Sequence, residues 1–241
     1  MDINELHQNW TTLGQDDPMW VVLTDPTKKG NRWDAREFFE TGRAAIAGSL
    51  ARCARHGVAL QFGKALDFGC GLGRLSQALG EKFSSVDGVD ISGSMIEQAR
   101  KLNRQLGKVN FHLNVQPDLA AFSSASYDFV FSLIALQHTP AKFQRRYVAD
   151  FLRLLKPGGT AQFQTIHGRG WRAWVPDGCA DAYRKFKHGQ KAFIPMYGLP
   201  VATVKQIIAA SGARLVAHET ETHGDRPDRF VIDHYLVTKP A

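Results

Sequence analysis

The stretch Ala65-Leu66-Asp67-Phe68-Gly69-Cys70-Gly71-Leu72-Gly73 carries a short apolar run directly into three alternating glycines. The run begins at Lys64, and apolar residues at helical spacing follow the last glycine. The pattern predicts a strand, a tight turn and then a helix from about Gly73 to Lys82. Glycines in such a turn let the backbone approach a ligand closely, and the helix offers free N–H groups at its first turn. The stretch is therefore typical of a ligand-binding turn in an α/β sheet.

The spacing of the glycines distinguishes between ligands. A dinucleotide fingerprint reads G-x-G-x-x-G, but counting from Gly69 the final position holds Arg74, and counting from Gly71 also fails. Asp67 lies two residues before the first glycine, where a carboxylate would repel a pyrophosphate and accept a cation. About twenty residues further on, Asp90 ends the next predicted strand, where an acidic side chain can accept both hydroxyls of a ribose. Asp90 alone would suit a turn or a helix cap equally well, but the combination favours a nucleoside that carries a cationic group.

Short apolar strands alternate with amphipathic helices through the middle of the chain, which indicates βαβ units and a mostly parallel sheet. Gly107 is expected to end the second helix of this series. The last two strands have no helix between them, so we expect them to form an antiparallel pair at the sheet edge. The predicted strands are 64–68, 85–89, 109–113, 127–132, 160–165, 214–221 and 230–238, and the predicted helices are 34–55, 73–82, 92–106, 142–155 and 201–211.

Two segments depart from this alternation of strands and helices, and they contain all five tryptophans. Residues 1–60 are predicted to form an N-terminal helical cap, and residues 61–241 are predicted to form the core. Residues 166–200, which are rich in Gly, Pro, Trp and basic residues, are predicted to form an insertion in that core. We expect one structural domain overall. Segments that cover the carboxyl ends of strands form the binding site of such folds, so these tryptophans could line a substrate pocket. For any single tryptophan, packing of the cover onto the sheet is an equally good explanation.

The motifs together resemble those of the class I S-adenosylmethionine (SAM)-dependent methyltransferase family. The resemblance is carried by DFGCGLGRLS, GVDISGSMIEQAR, YDFVFSLIALQHTP and LKPGG, over roughly residues 60–165, and more loosely by the last forty residues. It implies a Rossmann-like, doubly wound, seven-stranded and mostly parallel sheet with an antiparallel strand at its edge. It also implies SAM as cofactor, S-adenosylhomocysteine (SAH) as product, and in-line transfer of a methyl group to an O or N atom of a small molecule or glycan.

The resemblance also assigns roles to residues of this chain. In order along the sequence they would contact the methionine part of SAM, its ribose, its adenine, and finally the junction with the substrate, while Gly73 would allow close packing at the helix start. Asn114 stands where the family often has Asp, and its amide could still reach the adenine edge. The implied cofactor-binding residues are Asp67, Gly69, Cys70, Gly71, Gly73, Asp90, Ile91, Met95, Asn114, Val115 and Leu133.

Methyl transfer needs a general base only when the acceptor begins protonated. His138, just after the fourth predicted strand, is the first candidate because its near-neutral pKa suits proton removal. A hydrogen bond from its ring to the loop backbone is an equally good explanation, and His167, after the fifth strand, is a second candidate. The candidates for orienting a substrate are Trp33, Gln137, Arg169 and Tyr197.

The composition limits which partners and which cellular compartment are expected. The chain has 241 residues, of which 44% are hydrophobic and 22% charged, as in ordinary globular proteins. Cys53, Cys70 and Cys179 are scattered without metal-ligand spacing, so we predict no metal site and a cytoplasmic location. No signal-peptide pattern and no apolar stretch near the roughly 18 residues of a membrane span occur, so no membrane partner is expected. The net charge of +7 leaves an anionic small molecule or RNA open as partner.

Two other functions remain open at this point. An NAD(P)-dependent oxidoreductase would share the βαβ units and Asp90, although the glycine spacing and Asp67 oppose it. A non-catalytic SAM-binding or partner-binding module could use the same fold, because fold alone does not determine function. Enzymes that methylate base amines of DNA are disfavoured, since the chain reads Leu136-Gln137-His138-Thr139-Pro140 after the fourth strand.

Overall fold

The computed structural model describes residues 1–105, 107–168, 178–179, 182–183, 186, 192–222 and 230–241. Its centre is a seven-stranded sheet with the order β3-β2-β1-β4-β5-β7-β6. The strands are β1 (Lys64–Phe68), β2 (Ser85–Asp90), β3 (Val109–Leu113), β4 (Tyr127–Ser132), β5 (Leu155–Gly168), β6 (Arg214–Thr222) and β7 (Phe230–Thr238).

The first five strands run parallel, and β7 lies antiparallel between β5 and β6. The predicted Rossmann-like fold with an antiparallel pair at one edge is therefore confirmed. The strand order reverses at β1, since β2 lies on one side of it and β4 on the other. In open α/β sheets the crevice at such a reversal, outside the carboxyl ends of the strands, is the usual ligand site.

Helices cover both faces of the sheet. One apolar cluster joins one face to α6 and α7, and a second cluster joins the other face to α3, α4 and α5. The helices are α1 (Ile3–Asp16), α2 (Pro18–Val22), α3 (Ala35–Arg55), α4 (Arg74–Gly80), α5 (Gly93–Leu102), α6 (Ala141–Leu154) and α7 (Val201–Ala210), with short 3₁₀ turns at Pro26–Lys28 and Leu136–His138.

The N-terminal residues form the expected helical cap at the carboxyl edge of the sheet. Phe38 of α3, which is fully buried, packs there with Val21, Leu72 and Met95. Asp34 caps α3 by accepting a hydrogen bond from the Glu37 backbone N–H at 2.9 Å. A third cluster of apolar residues thus fixes the cap over the point where the strand order reverses.

Several predicted boundaries differ from the structure; β5, for example, begins at Leu155 and not at Thr160. The helix that begins at Gly93 ends at Leu102 and not near Leu106, because Asn103 adopts an extended backbone and donates its side-chain amide to the Val109 carbonyl at 3.0 Å. Strand β5 continues past Thr165 to Gly168, since it stays paired with β7 as far as Phe230. The insertion expected from residue 166 can therefore begin only after β5 ends. In the described ranges, no helix has the length and apolar character needed to cross a membrane.

Candidate active site

A cleft opens where the strand order reverses. Its floor is formed by residues 69–71 after β1, 90–91 at the end of β2 and 133–135 after β4, and α1 covers it with Leu6 and Trp10. The space between the atoms of the described residues, open mouth included, is about 930 Å³. Its lining combines a glycine loop, a carboxylate and apolar side chains, which is the composition typical of a small-molecule or cofactor site.

The glycine loop is built so that its backbone lies close to its neighbours. Gly69 and Gly71 have φ values of +75° and +50°, which favour glycine. A Cβ added to Gly69 would overlap the Cβ of Ala135, in the loop after β4. A Cβ added to Gly73 would lie 2.5 Å from the ring of Phe111. Side chains at these positions would therefore push apart the walls of the cleft and the packing at the start of α4.

Asp90 is fixed in orientation by two backbone N–H groups. Its Oδ2 accepts a hydrogen bond from Gly71 N at 2.8 Å, and its Oδ1 accepts one from Ser92 N at 2.8 Å. Burial raises the pKa of this carboxyl. Each carboxylate oxygen can accept a further hydrogen bond, so the Asp90 side chain, which lines the cleft, is held ready to receive a pair of hydroxyl groups.

Asp67 does not line the cleft, contrary to the expectation that it contacts a bound ligand directly. It is completely buried in β1, and its Oδ2 accepts a hydrogen bond from the Ser76 hydroxyl at 2.6 Å. Its Oδ1 has no hydrogen-bond partner among the described residues. Burial raises the pKa of Asp67 to about 6, opposed by the Ser76 hydrogen bond and the nearby Arg74 guanidinium. Asp67 thus supports the loop from beneath and carries an unsatisfied acceptor oxygen.

The substitution Asp67→Asn is expected to stabilise the ligand-free protein above about pH 6. The pKa of Asp67 rises from 3.8 to about 6 on folding, so the folded state binds the proton more tightly and stability falls as pH rises between these values. Asn cannot ionise but can still accept from Ser76. At about 1.4 kcal/mol per pKa unit, the wild type should lose about 3 kcal/mol of stability between pH 4 and pH 8 that the variant keeps. Urea unfolding from pH 4 to pH 8 measures it.

The matched control is Glu97→Gln, which removes an exposed carboxylate paired with Lys101 at the surface of α5. We expect that variant to follow the pH dependence of the wild type. Parallel pH curves for Asp67→Asn and the wild type would contradict the raised pKa.

The residues expected near an adenine divide into two groups. Ile91, Met95 and Asn114 line the cleft, whereas Val115 does not. The Asn114 side chain is engaged with its own loop, because its Nδ2 donates to the Asp118 carbonyl at 2.8 Å. Its amide therefore orders the loop after β3, and this loop forms the end wall of the cleft.

A second cavity adjoins the cleft on the α3 side of the sheet, and we call it the acceptor-side cavity. The two share Val21, Val22, Leu133, Ile134 and His138. The space between the atoms of the described residues, open mouth included, is about 2430 Å³. Trp33 and Gln137, both expected to contact a substrate, line this cavity rather than the cleft.

Polar side chains from the middle of the sheet also line the acceptor-side cavity, and the sequence interpretation missed them. Gln162 and Gln164 of β5 point into it, as does Ser132 at the end of β4. The Ser132 hydroxyl is buried and has no hydrogen-bond partner among the described residues. The signal was available in the alternation Ala-Gln-Phe-Gln at 161–164, because a buried parallel strand normally reads as a continuous apolar run.

His138 lies at the boundary of the two cavities. Its Nδ1 is 2.6 Å from the Pro195 carbonyl oxygen, and because a carbonyl only accepts, Nδ1 carries the proton. In the neutral ring Nε2 then holds the lone pair. The Gln137 amide nitrogen lies 3.3 Å from that Nε2, and Gln164 donates to the Gln137 amide oxygen at 2.8 Å. These directions agree with one another: Nε2 is the unprotonated nitrogen of the His138 ring, and it accepts a hydrogen bond from the Gln137 amide.

The other candidates lie elsewhere. His167 lines neither cavity, and its Nδ1 contacts the buried Asp233 carboxylate, which His218 also contacts. Tyr197 is buried in the core and lines neither cavity either. Arg169 lies outside the described residues. Within those residues no group of three or more His, Cys, Asp or Glu side chains is placed to hold a metal ion.

Comparison with known proteins identifies relatives for part of the chain. Residues 65–159 match the family described as "Methyltransferase domain". Over 113 residues the chain is 34% identical to the ubiquinone biosynthesis O-methyltransferase of Idiomarina loihiensis, and over 105 residues it is 35% identical to the protein of the same name from Thiobacillus denitrificans. The matches cover 46% and 43% of this chain and 45% and 44% of the relatives. The chain therefore spans less than half the length of the curated relatives it matches.

Solved structures resemble the whole fold. The magnesium protoporphyrin IX methyltransferase of Synechocystis PCC 6803, solved with bound SAH, superposes with a TM-score of 0.63 at 16% identity over 99% of this chain and 100% of that one. The phosphoethanolamine N-methyltransferase 2 of Haemonchus contortus superposes with a TM-score of 0.57 at 17% identity over 81% of this chain and 53% of that one. At these identities the likeness shows a shared fold.

Proposed function

We propose that this protein is a SAM-dependent methyltransferase acting on an oxygen atom of a small molecule, supported by the match of residues 65–159 to the methyltransferase-domain family. The observation that carries the proposal is the meeting of two cavities at Leu133, Ile134 and His138. One cavity has the glycine loop and the fixed carboxylate of Asp90, and the other has buried polar side chains. A methyl donor and an acceptor bound in them would meet where the cavities join.

The cleft fits SAM. Asp90 would accept the ribose hydroxyls with oxygens already oriented by Gly71 and Ser92, and Ile91 with Met95 would pack on the adenine. The Gly69–Gly71 turn would receive the methionine part, supported from beneath by Asp67 with its unsatisfied oxygen. When bound, the cofactor supplies a methyl group on a positively charged sulfur, which the acceptor displaces in line.

His138 would act as the general base. The acceptor hydroxyl would displace the Gln137 amide from Nε2, and the Nε2 lone pair would then take its proton, while the Pro195 carbonyl keeps Nδ1 protonated and the ring in place. A general base contributes about 10²–10⁴-fold, and alignment of the two reactants about 7–11 kcal/mol. Alignment is thus the larger contribution, and the chain supplies it by placing the two cavities side by side.

The described lining of the acceptor-side cavity supports a small neutral acceptor. Among its described residues, Arg52 pairs with Glu219 at 3.0 Å and His234 with Glu221 at 3.2 Å, so a carboxylate balances each of these two groups. The name shared by the curated relatives supports an oxygen acceptor. A cytoplasmic location is likewise proposed, supported by three cysteines that are all unpaired.

Thermal unfolding with saturating SAH, and in parallel with NAD⁺, tests the cofactor. A ligand at a hundred times its dissociation constant adds about 2.7 kcal/mol, which for a chain of this size is about 5–10 °C of midpoint. We expect that rise with SAH and none with NAD⁺. A rise with NAD⁺ alone would refute the proposal in favour of an oxidoreductase. SAH released from SAM on incubation with phenols and alcohols, and not with amines, would then separate an oxygen-directed enzyme from a non-catalytic binder.

A further inference from the structure

Helix α1 closes the cofactor cleft from above. Its Leu6 and Trp10 line the cleft, and it is held in place by the side chains of Ser92, the N-cap of α5, and Gln98, in the middle of α5. The Ser92 hydroxyl donates to the Trp10 carbonyl at 3.1 Å, and the Gln98 amide donates to the Gly14 carbonyl at 2.8 Å. The helix is therefore attached to the same element that begins just after Asp90.

The same helix is attached to the acceptor side by Asn9. Its Nδ2 donates to the Phe193 carbonyl at 2.9 Å, and its Oδ1 accepts from the Phe193 N–H at 3.0 Å. The Asn9 amide thus pairs with both the N–H and the carbonyl of Phe193, as the backbone of a neighbouring strand would. Since a buried backbone group without a partner costs free energy, the pair fixes Phe193 relative to α1.

The segment that begins at Phe193 also holds the proposed base. The Pro195 carbonyl accepts from His138 Nδ1 at 2.6 Å, and the Tyr197 N–H donates to the Gln137 carbonyl at 2.8 Å. The Trp10 ring of α1 lies against the His138 ring, with 5.3 Å between centroids. Residues 193–197 therefore connect the cover of the cofactor cleft to the imidazole at the junction of the cavities.

We infer that Asn9 is a positioning residue for His138: through Phe193 it places the Pro195 carbonyl, and that carbonyl keeps the proton on Nδ1 and the lone pair on Nε2. The inference rests on the proposed function for the role of Nε2 as base, but the placement of the proton does not depend on turnover. Helix α1, which would cover the cofactor, thereby sets the tautomer of the histidine that would act on the acceptor.

The direct test is ¹⁵N NMR of histidine-labelled, ligand-free protein at a pH where the imidazoles are neutral. The wild type is expected to show His138 with a protonated Nδ1 and an unprotonated Nε2, and a His138→Gln sample assigns the signals. In Asn9→Ala both nitrogens should move toward averaged shifts, because the ring then samples both tautomers. The control Gln8→Ala, an exposed position on the same helix, should match the wild type.

Steady-state kinetics give the second readout. Asn9→Ala is expected to lower kcat about tenfold, a part of the about 10²–10⁴-fold that a base supplies, with little change in the KM for the acceptor. His138→Gln measures the full loss of kcat expected when the base is absent, and Gln8→Ala should leave kcat unchanged. If Asn9→Ala does not fold, Asn9→Gln, which keeps both amide groups on a side chain that is one methylene longer, should give a smaller change of the same sign in both readouts.

Wild-type His138 shifts in Asn9→Ala would overturn the inference, as would altered shifts with an unchanged kcat. If the wild-type protein neither binds SAH nor turns over, the proposed function fails, while the NMR comparison still decides whether Asn9 controls the proton on His138.

Discussion

Asp90→Ala is expected to abolish the stabilisation by SAH and the turnover together. The Asp90 carboxylate is the acidic side chain that lines the end of β2 in the cleft, and the Gly71 and Ser92 N–H groups hold it in one orientation. Removing it takes two hydrogen bonds from the ribose and leaves the Gly71 and Ser92 N–H groups without their acceptor. Hydrogen bonds to a charged group contribute about 1.5–3 kcal/mol each, so we expect at least a hundredfold loss of affinity. Isothermal titration with SAH measures it.

The loss of affinity must be separated from damage to the loop. Asp90→Asn keeps an acceptor oxygen for one backbone N–H and is expected to fold with a weaker defect in SAH binding. Glu97→Gln, which changes an exposed carboxylate on the neighbouring helix, should bind SAH as the wild type does. SAH binding by Asp90→Ala at wild-type affinity would show that the ligand does not lie at the end of β2.

Gly69→Ala is expected to destabilise the protein by about 2–6 kcal/mol. The first part, about 1–3 kcal/mol, is the cost of a side chain at positive φ, since Gly69 has φ +75°. The second part, also about 1–3 kcal/mol, comes from overpacking against Ala135. Because a domain is stable by only about 5–15 kcal/mol, the variant should unfold at much lower urea. Urea unfolding of the ligand-free protein measures the change.

Gly57→Ala separates the two parts. Gly57 also has a positive φ, +67°, but nothing lies within 4 Å of the Cβ that it would gain. It should therefore cost only the conformational part. Equal losses for the two variants would mean that the loop after β4 yields to the new methyl group at no cost, and that the glycine loop tolerates a side chain on that side.

The sheet and the cleft were predictable because their signals are local. Strands β1, β3, β4 and β7 lie within the residues that alternation and apolar runs predicted, and the glycine loop with Asp90 identified the cleft. The end of α5 could not be predicted in this way. Asn103 ends the helix by donating to the Val109 carbonyl, whereas Gly107 was the stronger local signal in the sequence. Propensity near a helix end is weak, and a contact several residues away decides it.

The acceptor side was less predictable because it is assembled from distant parts of the chain. Asn9 meets Phe193 across 184 residues, and Pro195 meets His138 across 57. No spacing rule connects such positions. Asp67 illustrates the other limit: its residue type and place were predicted, but whether its side chain faced the ligand or the helix beneath depended on Ser76. Trp33 and Gln137, by contrast, line the cavity beside the cleft, and their contact with a substrate stays a prediction.

The placement of β7 between β5 and β6 has a consequence for biosynthesis. Strand β5 has no partner on one side until residues 230–238 have been made, and β6 is made before the strand that attaches it to the sheet. A nascent chain that has reached Thr222 therefore exposes the long edge of β5, and an open edge is a template for pairing with another chain. Protection by chaperones should therefore matter most until Phe230–Thr238 has paired with β5.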